Sequence, residues 1–163
     1  MFVHDFVTIE LPLAQALSTV AQVLMRDCTS LAKNAWNADT DVWAEAGLAR
    51  ADIDSTELEV SLGPPRVRAS AAVMHLTWKS NGGRLVPNLD ADLELAAHGP
   101  DRCDLQLLGR YQFGDDPPRS AEEASLAHRA IVSAVRGLLI AVAEETLRSR
   151  FGDERSVHRR IGA

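Results

Sequence analysis

The chain has 163 residues, of which 46% are hydrophobic and 25% are charged, and its formal net charge is -6. This length predicts one domain with a single core. The acidic balance argues against a nucleic-acid surface, because the chain would repel phosphate backbones. No secretory signal is visible, and the longest apolar run, residues 137–143, is too short to span a bilayer. Composition therefore predicts a cytoplasmic protein without a membrane span.

The first third of the chain predicts a strand followed by helix. Residues 3–11 alternate between apolar and polar side chains, as a half-buried strand does. Pro12 suits a first helical turn, and apolar residues recur at helical spacing over residues 12–34. A break near residues 27–30, giving two shorter helices, is left open. Residues 35–54 are expected to form a loop, a helical turn and a lid, in which Trp36 and Trp43 cover an entrance or anchor a dimer.

A series of strands follows. Residues 56–62 alternate, and Gly63-Pro64-Pro65 makes a turn. Residues 66–79 change parity midway, which predicts either a bulge near Val73 or a strand covered on both faces. Asn81-Gly82-Gly83 is expected to close a hairpin. Two further strands are predicted at residues 85–97 and 103–113, joined by a turn at residues 98–101.

The last third predicts one long helix over residues 121–150. Ser120 and Glu123 have the spacing of a capping box, which fixes where this helix begins. Residues 151–163 are rich in arginine and are expected to form a polar, flexible tail outside the domain of residues 1–150. The fold class predicted is α+β, with a single long helix closing one face of an antiparallel sheet. Small residues on rows that should face the middle favour a cavity there: Ala69, Ala71, Ala91, Gly109, Ala134 and Ala141.

Three segments carry a resemblance to a known family. They are Leu76-Thr77-Trp78, the run RLVPNLDADLEL at residues 84–95, and Leu108-Gly109-Arg110-Tyr111 before the final helix. With the order of elements, they resemble the SRPBCC superfamily of START-like, helix-grip domains, which includes Bet v 1 allergens and polyketide cyclases, in an actinobacterial branch. The resemblance covers residues 3–150. It implies the helix-grip fold, in which a curved antiparallel sheet wraps around the long C-terminal helix and leaves a cavity for a lipid, sterol, polyketide or other apolar ligand.

Such a cavity would be lined by the inward apolar residues of the sheet and the last helix. Tyr111 and Trp78 would supply the polar atoms that orient a guest, although each could equally be a core aromatic residue. A solid core is the alternative, because the inward rows contain enough leucine to fill it. The predicted ligand-binding residues are Met74, Leu76, Trp78, Leu89, Leu93, Tyr111, Phe113, Ile131, Val135 and Leu138.

The sequence favours binding or transport of an apolar small molecule without chemistry. The first alternative is a cyclase or aromatase-like enzyme using Tyr111, Trp78 and Arg110, and the second is a protein-interaction module. No metal or other cofactor is expected, since Cys28 and Cys103 lack ligand-like partners and should be buried. Asp90, Asp92 and Glu94 are interpreted as the solvated side of a strand. The protein is expected to be a monomer or homodimer.

Overall fold

The computed structural model describes residues 1–38, 57–81, 87–114 and 117–161. These residues form six strands and two long helices. Strands and helices do not alternate as in a βαβ fold, so the fold class is α+β, as predicted. The elements are β1 (Phe2–Ile9), α1 (Leu13–Ala38), β2 (Glu57–Leu62), β3 (Arg66–Val67), β4 (Ala71–Asn81), β5 (Asn88–Ala97), β6 (Cys103–Gln112) and α2 (Ala121–Ile161).

The strands pair antiparallel in the order β1-β6-β5-β4-β2, and β3 pairs with β4. The first strand therefore lies beside the last, with Val3 opposite Gly109 and Ile9 opposite Cys103. The alternation predicted for β5 and β6 is confirmed, because every second side chain is buried. Those inward rows are Leu89, Ala91, Leu93 and Leu95 on β5, and Cys103, Leu105, Leu107, Gly109 and Tyr111 on β6.

Gly109 faces Ala91 across the β5–β6 pair, and the two strands approach closely there. A Cβ atom added to Gly109 would lie 2.4 Å from the Cβ of Ala91. Cross-strand Cβ atoms are ordinarily about 4.5–5.5 Å apart. Only a side chain as small as hydrogen fits on this concave side, so glycine allows the sheet to curve around the helices.

The segment predicted as one strand over residues 66–79 is two strands joined by a tight turn. The Arg68 N–H donates to the Ala71 carbonyl oxygen at 2.7 Å, which leaves Ala69 and Ser70 as the turn. The predicted bulge near Val73 is therefore wrong, because a chain reversal causes the change of parity. Ala69 is exposed and Ala71 half-buried, so neither faces the interior as expected.

Helix α1 is continuous through residues 27–30, where a break was left open. Val20, Leu24 and Cys28 keep one apolar side facing the core across that stretch. The helix also continues past Asn34 and includes Trp36, which is buried rather than part of a lid. The indole of Trp36 meets that of Trp78 edge to face, with ring centroids 6.0 Å apart. Trp43 lies outside the described residues.

Helix α2 begins at the predicted cap. The Glu123 N–H donates to the Ser120 Oγ at 3.1 Å, and the Glu123 carboxylate accepts from the Arg119 N–H at 2.7 Å. The helix does not end at Arg150 but runs to Ile161. The segment expected to be a flexible tail is thus helical that far, and glycine at position 152 does not end the helix. The domain boundary at residue 150 stays a prediction.

The two helices lie antiparallel on the concave face of the sheet. Ala35 of α1 faces Gly137 of α2, where an added Cβ would lie 3.2 Å from the Ala35 Cβ. Further along, Arg26 forms an ion pair with Glu145 at 3.1 Å. Helix α1 covers β2, and α2 covers β1 and β6. The sheet therefore holds a layer of two helices, where a single C-terminal helix was expected.

Within α2, residues 121–152 are long and apolar enough to cross a bilayer by length and composition alone. More than half of the most apolar window, 56%, is buried inside the fold. Its buried side contacts the sheet and α1, and Arg129 and Arg136 lie elsewhere on its surface. The apolar character of this helix is therefore explained by its position in the core of the domain.

Candidate functional site

The ten predicted ligand-binding residues converge on one interior region between the sheet and the helices. Alternate positions of β4, β5 and β6 supply the sheet side, and helical spacing on α2 supplies the other. Phe113 is half-buried, and each of the other nine has at most 2% of its surface exposed. The fully buried members are Met74, Leu76, Trp78, Leu89, Leu93, Tyr111, Ile131, Val135 and Leu138.

This interior is closely packed at the predicted positions. A void large enough for water would leave accessible surface on the side chains around it. Met74, Leu76 and Val135 have none, so protein atoms surround them completely. Part of the filling comes from Trp36 of α1, which sequence reasoning had placed in a lid. Any guest must therefore move side chains or a helix before it can bind.

Trp78 already uses its polar atom within the protein. The indole Nε1–H donates to the Pro87 carbonyl oxygen at 2.9 Å, in a buried hydrogen bond. This donor satisfies a backbone carbonyl, as a buried indole usually does. In this arrangement Trp78 offers a guest only the apolar faces of its ring.

Tyr111, the chain's single tyrosine, lies at the end of β6 with its hydroxyl near the surface. The hydroxyl oxygen is 2.6 Å from Nδ1 of His128 and 2.9 Å from Sδ of Met1. The ring stacks on His128, with centroids 5.9 Å apart, and meets Phe113 edge to face. Burial raises the pKa of Tyr111 above its ordinary value, so the hydroxyl remains a hydrogen-bond donor at neutral pH.

His128 belongs to this cluster but is not among the predicted ligand-binding residues. It lies two turns into α2. Its contact with Tyr111 depends on how α2 packs over the end of β6. The capping signal at Ser120 fixes where the helix begins but carries no information about that packing.

The cysteine, aspartate and histidine residues considered below show no sign of a catalytic or metal-binding role. Cys28 and Cys103 are free and buried, as expected, and burial raises the pKa of each thiol to about 11. Asp90, Asp92 and His75 are exposed on the outer side of the sheet. In the described parts of the chain, no cluster of three or more His, Cys, Asp or Glu residues could hold a metal ion.

Three surface clefts involve described residues. One of about 240 Å³ lies on the outer side of the sheet beside Arg66 and Arg68. A second of about 290 Å³ runs between α1 and β2 beside Leu24 and Leu62. The largest of the three, about 400 Å³, lies at the end of the sheet near Tyr111. Of the ten predicted ligand-binding residues, Trp78, Leu89 and Tyr111 border this third cleft.

The antiparallel sheet that holds the long C-terminal helix is the helix-grip arrangement that the sequence resemblance implied. No protein-family model and no curated protein matches the chain. Solved structures to which the chain is similar include the Zhui aromatase/cyclase from a Streptomyces species, with a TM-score of 0.45 and 13% identity over 91% of this chain and 94% of that one. A hypothetical protein from Helicobacter pylori has a TM-score of 0.40 and 10% identity over 87% and 88% of the two chains. Ara h 8.0201 has a TM-score of 0.39 and 14% identity over 90% and 97%. These likenesses concern the fold alone, and the actinobacterial branch stays a prediction.

Proposed function

We propose that the protein binds a hydrophobic small molecule, such as a lipid or polyketide, between the sheet and α2. The observation that carries this proposal is Tyr111, whose protonated hydroxyl lies at the edge of an apolar interior. Ligand sites typically combine apolar walls with a few placed polar groups. The phenol would exchange its contact with Met1 or His128 for one hydrogen bond that orients the guest, and apolar contacts would supply most of the affinity.

The guest would enter at the Tyr111 end of the interior. Phe113 is half-buried there, and the first half of α2 buries three small side chains, Ala127, Ala130 and Ala134, beside Leu126 and Ile131. Alanine buries little surface, so moving this part of the helix outward costs less than separating two rows of leucine. The closed interior is then the empty state, and the bound state requires a shift of α2 or of Phe113.

The ten sequence-predicted residues remain the proposed lining, with Tyr111 and Phe113 nearest the entrance. Binding of this kind needs no reaction and no resident cofactor. On this proposal the protein works in the cytoplasm as a monomer or a homodimer.

The test is a titration with a fluorescent fatty acid, repeated with the Tyr111→Phe variant. The wild type should bind the probe saturably with one site. Loss of the hydroxyl should weaken binding about tenfold, because one hydrogen bond to the guest is lost. Arg102→Gln, at an exposed position before β6, is the control and should bind as the wild type does. Absence of saturable binding to fatty-acid and sterol probes, or equal affinity in Tyr111→Phe, would contradict the proposal.

A cyclase or aromatase-like enzyme is the second candidate, and one contact favours it. The Nδ1 of His128 lies 2.6 Å from the Tyr111 hydroxyl, so the imidazole can accept the phenol proton when Nε2 carries the ring proton. In an enzyme, His128→Gln and Tyr111→Phe would both abolish turnover of a bound substrate. In a carrier, His128→Gln would change affinity alone.

A further inference from the structure

The cleft at the end of the sheet opens on the side opposite the helices. Its outward-pointing side chains alternate with buried Trp78, Leu89 and Tyr111, so they project away from the core. We name it the Arg110 cleft. Its volume is about 400 Å³, and its outer walls are formed by Thr77, Lys79, Asn88, Asp90, Arg110 and Gln112.

The charge of the Arg110 cleft is opposite to that of the whole protein. The chain carries a net charge of -6, yet this cleft holds two cationic side chains, Lys79 and Arg110, and one carboxylate. That carboxylate, Asp90, lies directly opposite Arg110 across the β5–β6 pair. It would neutralise the arginine if the two side chains met.

Asp90 instead turns towards a histidine. Its Oδ1 lies 3.4 Å from Nε2 of His75, on the neighbouring strand. The Arg110 guanidinium lies over the ring of Phe2, with its Cζ 5.0 Å from the ring centroid. Among the described residues, no carboxylate oxygen reaches ion-pair distance of Arg110 or Lys79. Both cations are therefore available to a ligand.

We propose that the Arg110 cleft binds a small organic anion through the guanidinium of Arg110 and the ammonium of Lys79. The planar guanidinium can hold a carboxylate or phosphate group by two parallel hydrogen bonds. Contact with the ring of Phe2 limits its orientations, so less entropy is lost when the anion binds. The hydroxyl of Thr77 and the amide of Gln112 add neutral hydrogen-bonding groups at the wall. The two cationic side chains point away from the interior in which the proposed apolar ligand would lie, although Trp78, Leu89 and Tyr111 border both places.

The test is a nuclear magnetic resonance titration of uniformly labelled protein at low salt, with inorganic phosphate and benzoate in separate arms. Binding should produce saturable shifts of backbone amides that border the cleft. Arg110→Gln and Lys79→Gln should each weaken binding about tenfold, because each removes a charged hydrogen-bond donor. The matched control is Arg102→Gln. Arg102 is exposed and precedes the first residue of β6, at the end of the strand away from the cleft, so this variant should bind as the wild type does. The spectra also report whether each variant is folded.

A further variant, His75→Ala, tests the role assigned to Asp90. Without its histidine partner, Asp90 should turn to Arg110 and compete with the anion, so affinity should fall. Saturation by phosphate alone or by benzoate alone supports the site and identifies the anion class it accepts. The proposal is overturned if neither anion saturates, if Arg110→Gln binds equally well, or if Arg102→Gln loses as much affinity, since a general charge effect would then explain the shifts.

Discussion

Gly109 and Ala91 face each other where β5 and β6 approach closely. The Gly109→Ala substitution places a methyl group 2.4 Å from the Ala91 Cβ and 2.8 Å from the Asp90 carbonyl oxygen. Since these are main-chain and Cβ atoms, no side chain can rotate away. We expect the free energy of unfolding to fall by about 1–3 kcal/mol, as overpacking usually costs. Urea denaturation measures this change.

The matched control for that prediction is Gly114→Ala. Nothing lies within 4 Å of a Cβ added at position 114. This variant should therefore unfold within about 0.5 kcal/mol of the wild type. Equal stability of Gly109→Ala and Gly114→Ala would show that the sheet relaxes freely at position 109, contrary to the close approach described above.

Asp104 makes stability depend on pH in the acid range. Burial alone would raise its pKa, but hydrogen bonds from Thr8 and His98, with the charges of His98 and Arg102, outweigh burial and lower it. A lowered folded-state pKa contributes stability above the ordinary carboxyl pKa of about 4, and that stability is lost as the pH falls through the folded-state value.

The free energy of unfolding should therefore fall less in Asp104→Asn than in the wild type when the pH is lowered from neutral to below about 4. Urea titrations of both proteins across that range measure the difference. Thr8→Val, which removes the 2.7 Å hydrogen bond to Asp104, should give an intermediate slope. Identical pH dependence of stability in all three proteins would show that Asp104 does not cause it.

At the scale of elements, the start of α2 depends on Ser120. Its Oγ accepts from the Glu123 N–H, one of the amides that the helix leaves unpaired. Ser120→Ala should lower the free energy of unfolding by about 1 kcal/mol. Ser125→Ala, at an exposed position inside the helix, is the control and should be neutral or slightly stabilising because alanine has the higher helix propensity. A Ser120→Ala variant as stable as Ser125→Ala would contradict the capping role.

Several elements could be predicted because their signals are local. The alternation of β5 and β6, the turn at His98 to Asp101 and the cap at Ser120 each depend on neighbouring residues. The β3–β4 hairpin was missed because Ala69-Ser70 lacks the glycine or asparagine that usually marks a two-residue turn. Helix α1 extends beyond Asn34 because contacts of Trp36 with the core stabilise its last turn. The spacing of apolar residues along the chain does not reveal these contacts.

At the scale of the molecule, the sequence located the interior but not how completely it is filled. Periodicity identified the apolar residues that face inward, and they do converge. Whether a cavity remains depends on how two helices share one sheet, through contacts such as Ala35 with Gly137. The same long-range packing brings His128 on α2 next to Tyr111 on β6. The sequence spacing of these two residues does not predict their contact.

Native mass spectrometry of the protein purified from its own host tests the central claim, binding of an apolar small molecule, most directly. The account predicts a complex with one bound mass, which denaturing extraction should release as an apolar compound. Tyr111→Phe protein should retain less of it. A protein that is empty in the spectrometer and also fails to take up fatty-acid and sterol probes would contradict the account, and the closely packed interior would then be a solid core.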